Sequence, residues 1–291
     1  MRYRIVHKTQ YSTVEPISVG HNEAWLTPRQ TPTQVCLSHQ MEFTPEPSIV
    51  VTRQDHFQNT TTQFAFNQGY DQLVVTSISE IELHAIEPAT LIAPSWETVR
   101  DAVRAHATTE DFAALEFTFD SPRCRISSDF AQYAQTSFPM GASIRDGITD
   151  LMRRFFTDFK YDATATTVST PVEQVFRTRR GVCQDFAHLL ISMLRSIGLP
   201  ARYVSGYLRT LPPPGKPRLV GADASHAWVS VFGGPLGWID LDPTNNQFPS
   251  TDHITIAWGR DYADVAPLKG VYIGGCSPRL VVSVDVSEIS G

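Results

Sequence analysis

The chain has 291 residues, of which 42% are hydrophobic and 19% charged, a composition that fits one large folded domain or two smaller ones. Its 24 Lys and Arg side chains face 30 Asp and Glu side chains, so the net charge is −6 at pH 7. This balance excludes general nucleic-acid binding, which needs a basic surface. No apolar run has the length of a signal peptide or a membrane span. We therefore expect a cytoplasmic protein without a membrane partner.

The first part of the chain alternates apolar and polar residues. The alternation is clearest in five segments, YRIVHKT, QVCLSHQMEF, SIVVT, TQFAF and LVVTSISEIEL. Turn-forming residues, including Asn59, Asn67 and Gly69, separate them. A period of two with interspersed turns predicts antiparallel strands with one face in solvent. We assign residues 1–88 to an N-terminal antiparallel β-domain.

From Trp96 onward the apolar period lengthens to that of an α-helix. Ser143 is the predicted N-cap of a helix that carries a strong apolar stripe. A second helix has a capping-box signature, with Thr170 as N-cap, Pro171 at the first helical position and Glu173 three residues after the cap. Helices packed on an antiparallel sheet are expected for the whole core.

A longer helix follows Gly181 and ends at Gly198 and Pro200. Three predicted strands come after it, ARYVSGYL, HAWVSVF and WIDLD. The proline-rich loop from Arg209 to Ser225 is too long for a simple hairpin, and loops of that length often serve as lids or binding loops. We place the core at residues 89–255 and a C-terminal extension, ending in a β-strand, at residues 256–291.

The four cysteines, Cys36, Cys124, Cys183 and Cys276, contain no C-x-x-C pair. In a reducing compartment they are expected to be free thiols, and three of them to act as small hydrophobic residues. Cys183 differs because it lies in the first turn of the predicted helix. Backbone N–H groups favour a negative charge there, which lowers the pKa of a thiol.

A nucleophilic cysteine needs a histidine base that a third polar group orients. His226 opens an alternating strand, and Asp242 ends the next one. Glycines around Pro235 predict a hairpin between these strands, so His226 and Asp242 should lie close together. Asp240 is on the same face and is the alternative third member.

Each of these residues also has a purely structural interpretation, as a buried thiol, a half-buried histidine or a turn-forming carboxylate. His188 points away from Cys183 at helical spacing and is interpreted as structural. A zinc site formed by Cys183, His188, His226 and Asp242 is a further alternative, but no closely spaced ligand pair supports it.

Three segments, GVCQDFAHLLISMLRSIGLPARYVSGYL, SHAWVSVF and GWIDLDPTNN, resemble the Cys, His and Asp boxes of the transglutaminase-like superfamily. The opening YRIVHKTQYSTVEPISVGHNEAWLTPRQ and the segment GRDYADVAPLKGVYIGG are similar to the bacterial members with an N-terminal β-domain. The resemblance covers nearly the whole chain. It implies an α+β fold akin to papain-like proteases. Ser230 and Gln58 depart from the pattern, which usually has an acidic residue and a glycine there.

The resemblance implies that Cys183 is the nucleophile, His226 the general base and Asp242 the orienting carboxylate. The expected reaction is acyl transfer at a peptide or isopeptide amide through a thioester, with hydrolysis favoured over transamidation and no cofactor required. The backbone N–H of Cys183 is the expected oxyanion donor. The other candidate donors are Gln184, Tyr161 and Trp228. The implied partner is a peptide or protein substrate.

Two other classes of function remain open at this stage. One is a non-catalytic peptide-binding module on the same fold, since fold does not determine function. The other is an interaction scaffold whose N-terminal strands pair with a strand of a partner. Rapid alkylation of Cys183 at mildly acidic pH would distinguish a catalytic thiol from a binding module.

Overall fold

The computed structural model describes residues 1–85, 91–209, 225–275 and 279–289. An antiparallel β half-barrel is followed by a mixed helix and sheet core, which confirms the predicted α+β class. Cys276 and most of the predicted lid, residues 210–224, lie outside the described residues.

The N-terminal sheet contains all five strands that the alternation predicted, β1 (Arg2–Ala24), β2 (Gln34–Thr44), β3 (Ile49–Gln54), β4 (Thr60–Phe66) and β5 (Tyr70–Leu83). They are ordered β2-β5-β1-β4-β3, and every pair is antiparallel. Along β5 nearly every second side chain is buried, because one face of the strand covers the core.

Strand β1 is long enough to serve two parts of this sheet. Its register with β5 shifts between Ser12 and Ile17. The C-terminal strands β12 (Leu268–Gly274) and β13 (Arg279–Glu288) both pair with β1, on either side of the shift. The end of the chain therefore returns to complete the N-terminal sheet. The domain boundaries at residues 88 and 255 stay a prediction.

Most helices of the described residues lie in the middle of the chain, namely α1 (Trp96–Ala105), α2 (Thr109–Leu115), α3 (Ser128–Gln135), α4 (Ile144–Asp158), α5 (Val172–Thr178) and α6 (Cys183–Ser196). The short helix α7 (Tyr262–Val265) lies near the C-terminus. Ser143 caps α4 as predicted, since its hydroxyl accepts a hydrogen bond from the Asp146 N–H at 3.1 Å. Among the described residues, no helix combines the length and the hydrophobicity that crossing a membrane requires.

The predicted capping box before α5 is wrong. Helix α5 starts one residue later than expected, with Pro171 as its N-cap and no side-chain cap. The hydroxyl of Thr170 instead accepts a hydrogen bond from the Thr167 N–H at 2.9 Å. Thr170 therefore stabilises the turn before the helix, which removes it from the role of N-cap.

A second sheet carries the residues of interest. It consists of β8 (Ala201–Leu208), β9 (Ser225–Phe232), β10 (Trp238–Leu241) and β11 (His253–Gly259), ordered β10-β9-β8-β11. Helix α6 packs against β8 and β9. Its predicted inward face is buried throughout, at Phe186, Leu189, Leu190, Met193, Leu194 and Ile197. Two short strands, β6 (Lys160–Tyr161) and β7 (Arg180–Gly181), pair in parallel just before this helix.

The two sheets share one hydrophobic core. Side chains of the half-barrel that join the core around α6 include Tyr3, Ile5, Trp25, Ile81 and Leu83. A smaller cluster inside the half-barrel includes Phe64, Phe66 and Val75.

Two side-chain amides of the half-barrel also bind β11, the edge strand of the second sheet. Gln34 Nε2 donates to the Thr255 carbonyl at 2.7 Å, and the Thr255 N–H donates to Gln34 Oε1 at 2.8 Å. Asn59 makes the same two-way contact with Trp258, at 2.8 and 3.0 Å. Both contacts satisfy backbone groups at a sheet edge that would otherwise lack strand partners.

Candidate functional site

Cys183 is the first residue of α6, as the sequence predicted. Asp185 organises this helix start, because its Oδ2 accepts hydrogen bonds from the Val182 N–H at 2.9 Å and from Thr166 Oγ1 at 2.6 Å. A Cβ atom on Gly181 would lie 2.8 Å from the same oxygen. Gly181 therefore leaves room for the Asp185 carboxylate to approach the backbone, and a larger residue there would displace it.

His226 lies on β9, and Asp242 directly follows β10. These strands pair in antiparallel register, with Val229 opposite Leu241. The pairing brings the two side chains together, so that His226 Nε2 donates to Asp242 Oδ2 at 2.8 Å. The Cys183 side chain lies close enough to the imidazole to help raise the pKa of His226. Because Nε2 serves Asp242, Nδ1 is the ring nitrogen that remains for a contact with the thiol.

The pKa values of His226 and Asp242 shift in the directions that keep both side chains charged. Burial alone would lower the pKa of His226, but the hydrogen bonds to Asp242 and Cys183 outweigh it and raise the pKa to about 9. Burial would raise the pKa of Asp242, but the hydrogen bonds from His226 and His253 hold it well below its usual range. At neutral pH an imidazolium therefore lies beside the buried carboxylate of Asp242.

The Asp242 carboxylate is completely buried and accepts five hydrogen bonds. Its donors are His226 Nε2, His253 Nε2, Asn245 Nδ2 and the backbone N–H groups of Thr244 and Asn245. His253 was not predicted from the sequence. The one signal for it is that His253, like His226, stands near the start of a largely apolar strand.

Two of the candidate side chains, Trp228 and Asp240, bind each other. The Trp228 side chain is fully buried, and its indole N–H donates to Asp240 Oδ2 at 3.1 Å. The indole N–H is therefore already used and does not face an oxyanion. The same bond assigns Asp240 to Trp228, so Asp240 does not serve as the third member. The Trp228 ring lies beside His226, with 6.1 Å between ring centroids.

The remaining candidate neighbours lie around the start of α6. Tyr161 pairs with Gly181 in the short parallel ladder, and 59% of its surface is exposed. Gln184 Nε2 donates to the Val168 carbonyl at 3.4 Å. The second oxyanion donor stays a prediction. His188 is buried and accepts a hydrogen bond from the Tyr262 N–H at 3.1 Å, as a structural histidine would.

His226, Asp242 and His253 place three possible metal-ligand atoms within 4.8 Å of one another. This set differs from the alternative drawn from the sequence, because His188 binds the backbone elsewhere. Both imidazole Nε2 atoms donate to a single carboxylate oxygen. Hydrogen bonds alone thus account for the arrangement of all three side chains.

Comparison with known proteins covers both halves of the chain. The model of the transglutaminase-like superfamily matches residues 132–243, and that of the bacterial transglutaminase-like N-terminal region matches residues 3–82. An uncharacterized protein of Mycobacterium tuberculosis is 38% identical over 299 residues, which cover 100% of this chain and 94% of that protein.

Two further relatives carry more informative names. A protein-glutamine gamma-glutamyltransferase of Pseudomonas aeruginosa is 40% identical over 76 residues, 26% of this chain and 11% of that protein. A solved structure of a suspected cysteine protease from Cytophaga hutchinsonii has a TM-score of 0.76 at 20% identity, and the match covers 100% of this chain and 92% of that one. The latter likeness supports the fold. The chain belongs to the transglutaminase-like superfamily, as a bacterial member that combines the transglutaminase core with the N-terminal region of that group.

Proposed function

We propose that this protein is a cysteine-dependent enzyme that transfers the acyl group of a peptide or isopeptide amide through a thioester. Cys183 is the nucleophile, His226 the proton carrier and Asp242 the carboxylate that orients the imidazole. The observation that supports this assignment is the 2.8 Å hydrogen bond between His226 and the buried Asp242 carboxylate, next to Cys183 at the start of α6.

In the first half-reaction the thiolate of Cys183 attacks the amide carbonyl, and an S–C bond forms. The backbone N–H of Cys183 stabilises the oxyanion. As the C–N bond breaks, the His226 imidazolium gives its Nδ1 proton to the leaving amine. The product is a thioester on Cys183, a free amine and a neutral imidazole.

In the second half-reaction a nucleophile attacks the thioester. Neutral His226 takes a proton from this nucleophile, the C–S bond breaks and the thiolate–imidazolium pair is restored. Water gives hydrolysis, whereas a primary amine gives a new amide. We favour hydrolysis. The sequence match to a protein-glutamine gamma-glutamyltransferase makes transamidation the second candidate.

Mass spectrometry distinguishes the two outcomes directly. A peptide library is incubated with the protein in the presence and absence of a primary amine, and Cys183→Ala and Cys36→Ala are run in parallel. Gain of water at a broken bond indicates a peptidase, and gain of the amine indicates a transferase. The Cys36→Ala control should match the wild type, because Cys36 lies in β2 of the half-barrel.

The Cys183→Ala variant should lose activity by roughly a thousandfold or more, since nothing replaces the nucleophile. Equal turnover by the wild type and Cys183→Ala would reject the proposed function. If neither protein changes any peptide while Cys183 alkylates as slowly as Cys36, the chain is a binding module instead.

A further inference from the structure

We propose that His253 is a positioning residue for the reaction, a second imidazole that donates to the oxygen used by His226 and is held in place by the N-terminal half-barrel. The inference rests on the proposed function, because it assigns His253 a role only through Asp242 and His226. It also gives the half-barrel a part in the chemistry, although that domain contains none of the reactive groups.

The geometry of the shared oxygen is the first step. His253 Nε2 lies 3.1 Å from Asp242 Oδ2, and His226 Nε2 lies 2.8 Å from the same atom. Asn245 Nδ2 is a third donor to it at 2.8 Å. A carboxylate oxygen has two lone pairs, so three donors compete for it. The bond from His253 therefore limits how strongly this oxygen can hold the proton of His226.

The second step concerns the tautomer of His253. An ionised Asp242 can only accept, so Nε2 of His253 must carry the proton. The His253 side chain is buried, and its Nδ1 has no hydrogen-bond partner among the residues that the structure describes. His253 also lines a cavity of about 40 Å³. A cavity needs roughly 10–15 Å³ to hold a water molecule, so this one has room for a donor to Nδ1.

The third step is the attachment of His253 to the half-barrel. His253 is the first residue of β11, and the two-way contact of Gln34 with Thr255 lies two residues further along that strand. Gln34 is almost fully buried and lines the same cavity. The position of His253 relative to Asp242 thus depends on a side chain from the N-terminal sheet.

Other titratable side chains lie around His226, Asp242 and His253, and any test must leave these side chains unchanged. The imidazole of His226 meets Cys183 from α6 and the ring of His253 from β11, at 6.1 Å between centroids. The cavity beside His253 is also lined by Asp240 and His84. Asp240 accepts a hydrogen bond from the indole N–H of Trp228.

Without the hydrogen bond from His253, the negative charge on Asp242 Oδ2 should attract the His226 imidazolium more strongly. The imidazolium then holds its proton to a higher pH. Alkylation of Cys183 by iodoacetamide reports this without any substrate, because the thiolate changes reactivity when the neighbouring imidazolium loses its proton. In the wild type we expect that step near pH 9, the pKa of His226.

The experiment compares alkylation rates of Cys183 across pH in the wild type, His253→Leu and His253→Gln, with peptide mapping and EDTA throughout. His253→Leu should move the step upward by roughly half a pH unit, a threefold change in the acid dissociation constant. His253→Gln, whose amide can still donate to Asp242, should restore most of the wild-type profile. Gln34→Met should produce a smaller upward shift, and it decides the question if His253→Leu does not fold.

His7→Leu is the matched control. His7 is also a buried histidine that joins the half-barrel to the core, with its Nδ1 at 2.7 Å from the Tyr207 hydroxyl, but it does not contact Asp242. It should lower stability and leave the step unchanged. A His253→Leu profile that coincides with the wild type or moves to lower pH overturns the inference. A wild-type Cys183 without any step, reacting like Cys36, overturns the proposed function itself.

Discussion

The half-barrel and the core around α6 contribute different things to this molecule. The core supplies the thiol, the imidazole and the carboxylate, whereas the half-barrel supplies hydrogen-bond partners and apolar surface. Gln34 and Asn59 bind β11, and β1 pairs with the final two strands of the chain. A segment without reactive groups can therefore determine whether a site in another segment keeps its shape.

The largest expected effect follows from the shared core. Deletion of residues 1–85 removes strands β1 to β5 of the half-barrel. If the two regions were independent, the rest of the chain would still fold. Because they share one core, we expect the deletion to abolish cooperative folding. It removes five core side chains, Tyr3, Ile5, Trp25, Ile81 and Leu83. Truncation of one such side chain costs roughly 2–5 kcal/mol, and a whole domain is stable by only about 5–15 kcal/mol. Thermal unfolding followed by circular dichroism tests this, and a cooperative transition in the truncated chain would show that the core is autonomous.

Within the core, Asp242→Asn should chiefly change the chemistry. The amide cannot balance the charge of the imidazolium, so the pKa of His226 falls and turnover drops by roughly a thousandfold or more. Asp240→Asn is the matched control, because the amide oxygen can still accept from the Trp228 indole. Peptide turnover is the measurement. Comparable losses in both variants would contradict the assignment of Asp242.

Within the half-barrel, Asn59→Leu should chiefly change stability. The variant leaves the N–H and carbonyl groups of Trp258 without their Asn59 partner. Trp258 lies near the opposite end of β11 from His253, so the contacts of His253 should not change. An unpaired buried polar group costs about 1–3 kcal/mol. Urea denaturation should show this loss with the pH profile of Cys183 alkylation unchanged. An unchanged midpoint would mean that the contact contributes nothing to stability.

The smallest expected effect is a gain in stability at Gln58. This residue has a positive φ of 61°, in a turn where its N–H donates to the Asp55 carbonyl at 3.1 Å. The left-handed conformation costs roughly 1–2 kcal/mol for a residue with a Cβ atom. Glycine also increases the conformational entropy of the unfolded chain, which offsets part of this gain. Gln58→Gly should therefore raise the free energy of unfolding by about 0.5–1 kcal/mol. A lower melting temperature for this variant would refute the expectation.

Local patterns predicted much of the structure. Alternation identified β1 to β5, the final strand β13 and three of the four strands of the second sheet, and the apolar stripe identified the buried face of α6. Alternation did not identify β11 or β12. The family resemblance and the predicted hairpin together indicated the contact between His226 and Asp242. These features depend on residues that are close in the chain or on motifs whose order is fixed.

Long-range contacts were not predictable in the same way. Nothing near Gln34 indicates a partner 221 residues away, and nothing near β13 indicates pairing with β1. The sequence position of Trp228 does not reveal that Asp240 accepts its indole N–H. His253 was missed because one more histidine at a strand start carries no distinct local signal. Each depends on how separate elements pack together.

The central claim is that Cys183, His226 and Asp242 form one proton-sharing unit. The most direct measurement is the rate of iodoacetamide modification at pH 6, resolved by peptide mapping, in the wild type and in His226→Gln. Burial raises the pKa of Cys36 and, to about 12, that of Cys124, so both should react slowly. We expect Cys183 to react at least about tenfold faster than either, and to lose this advantage in His226→Gln. Equal, slow modification of Cys183 and Cys36 in the wild type would contradict the account.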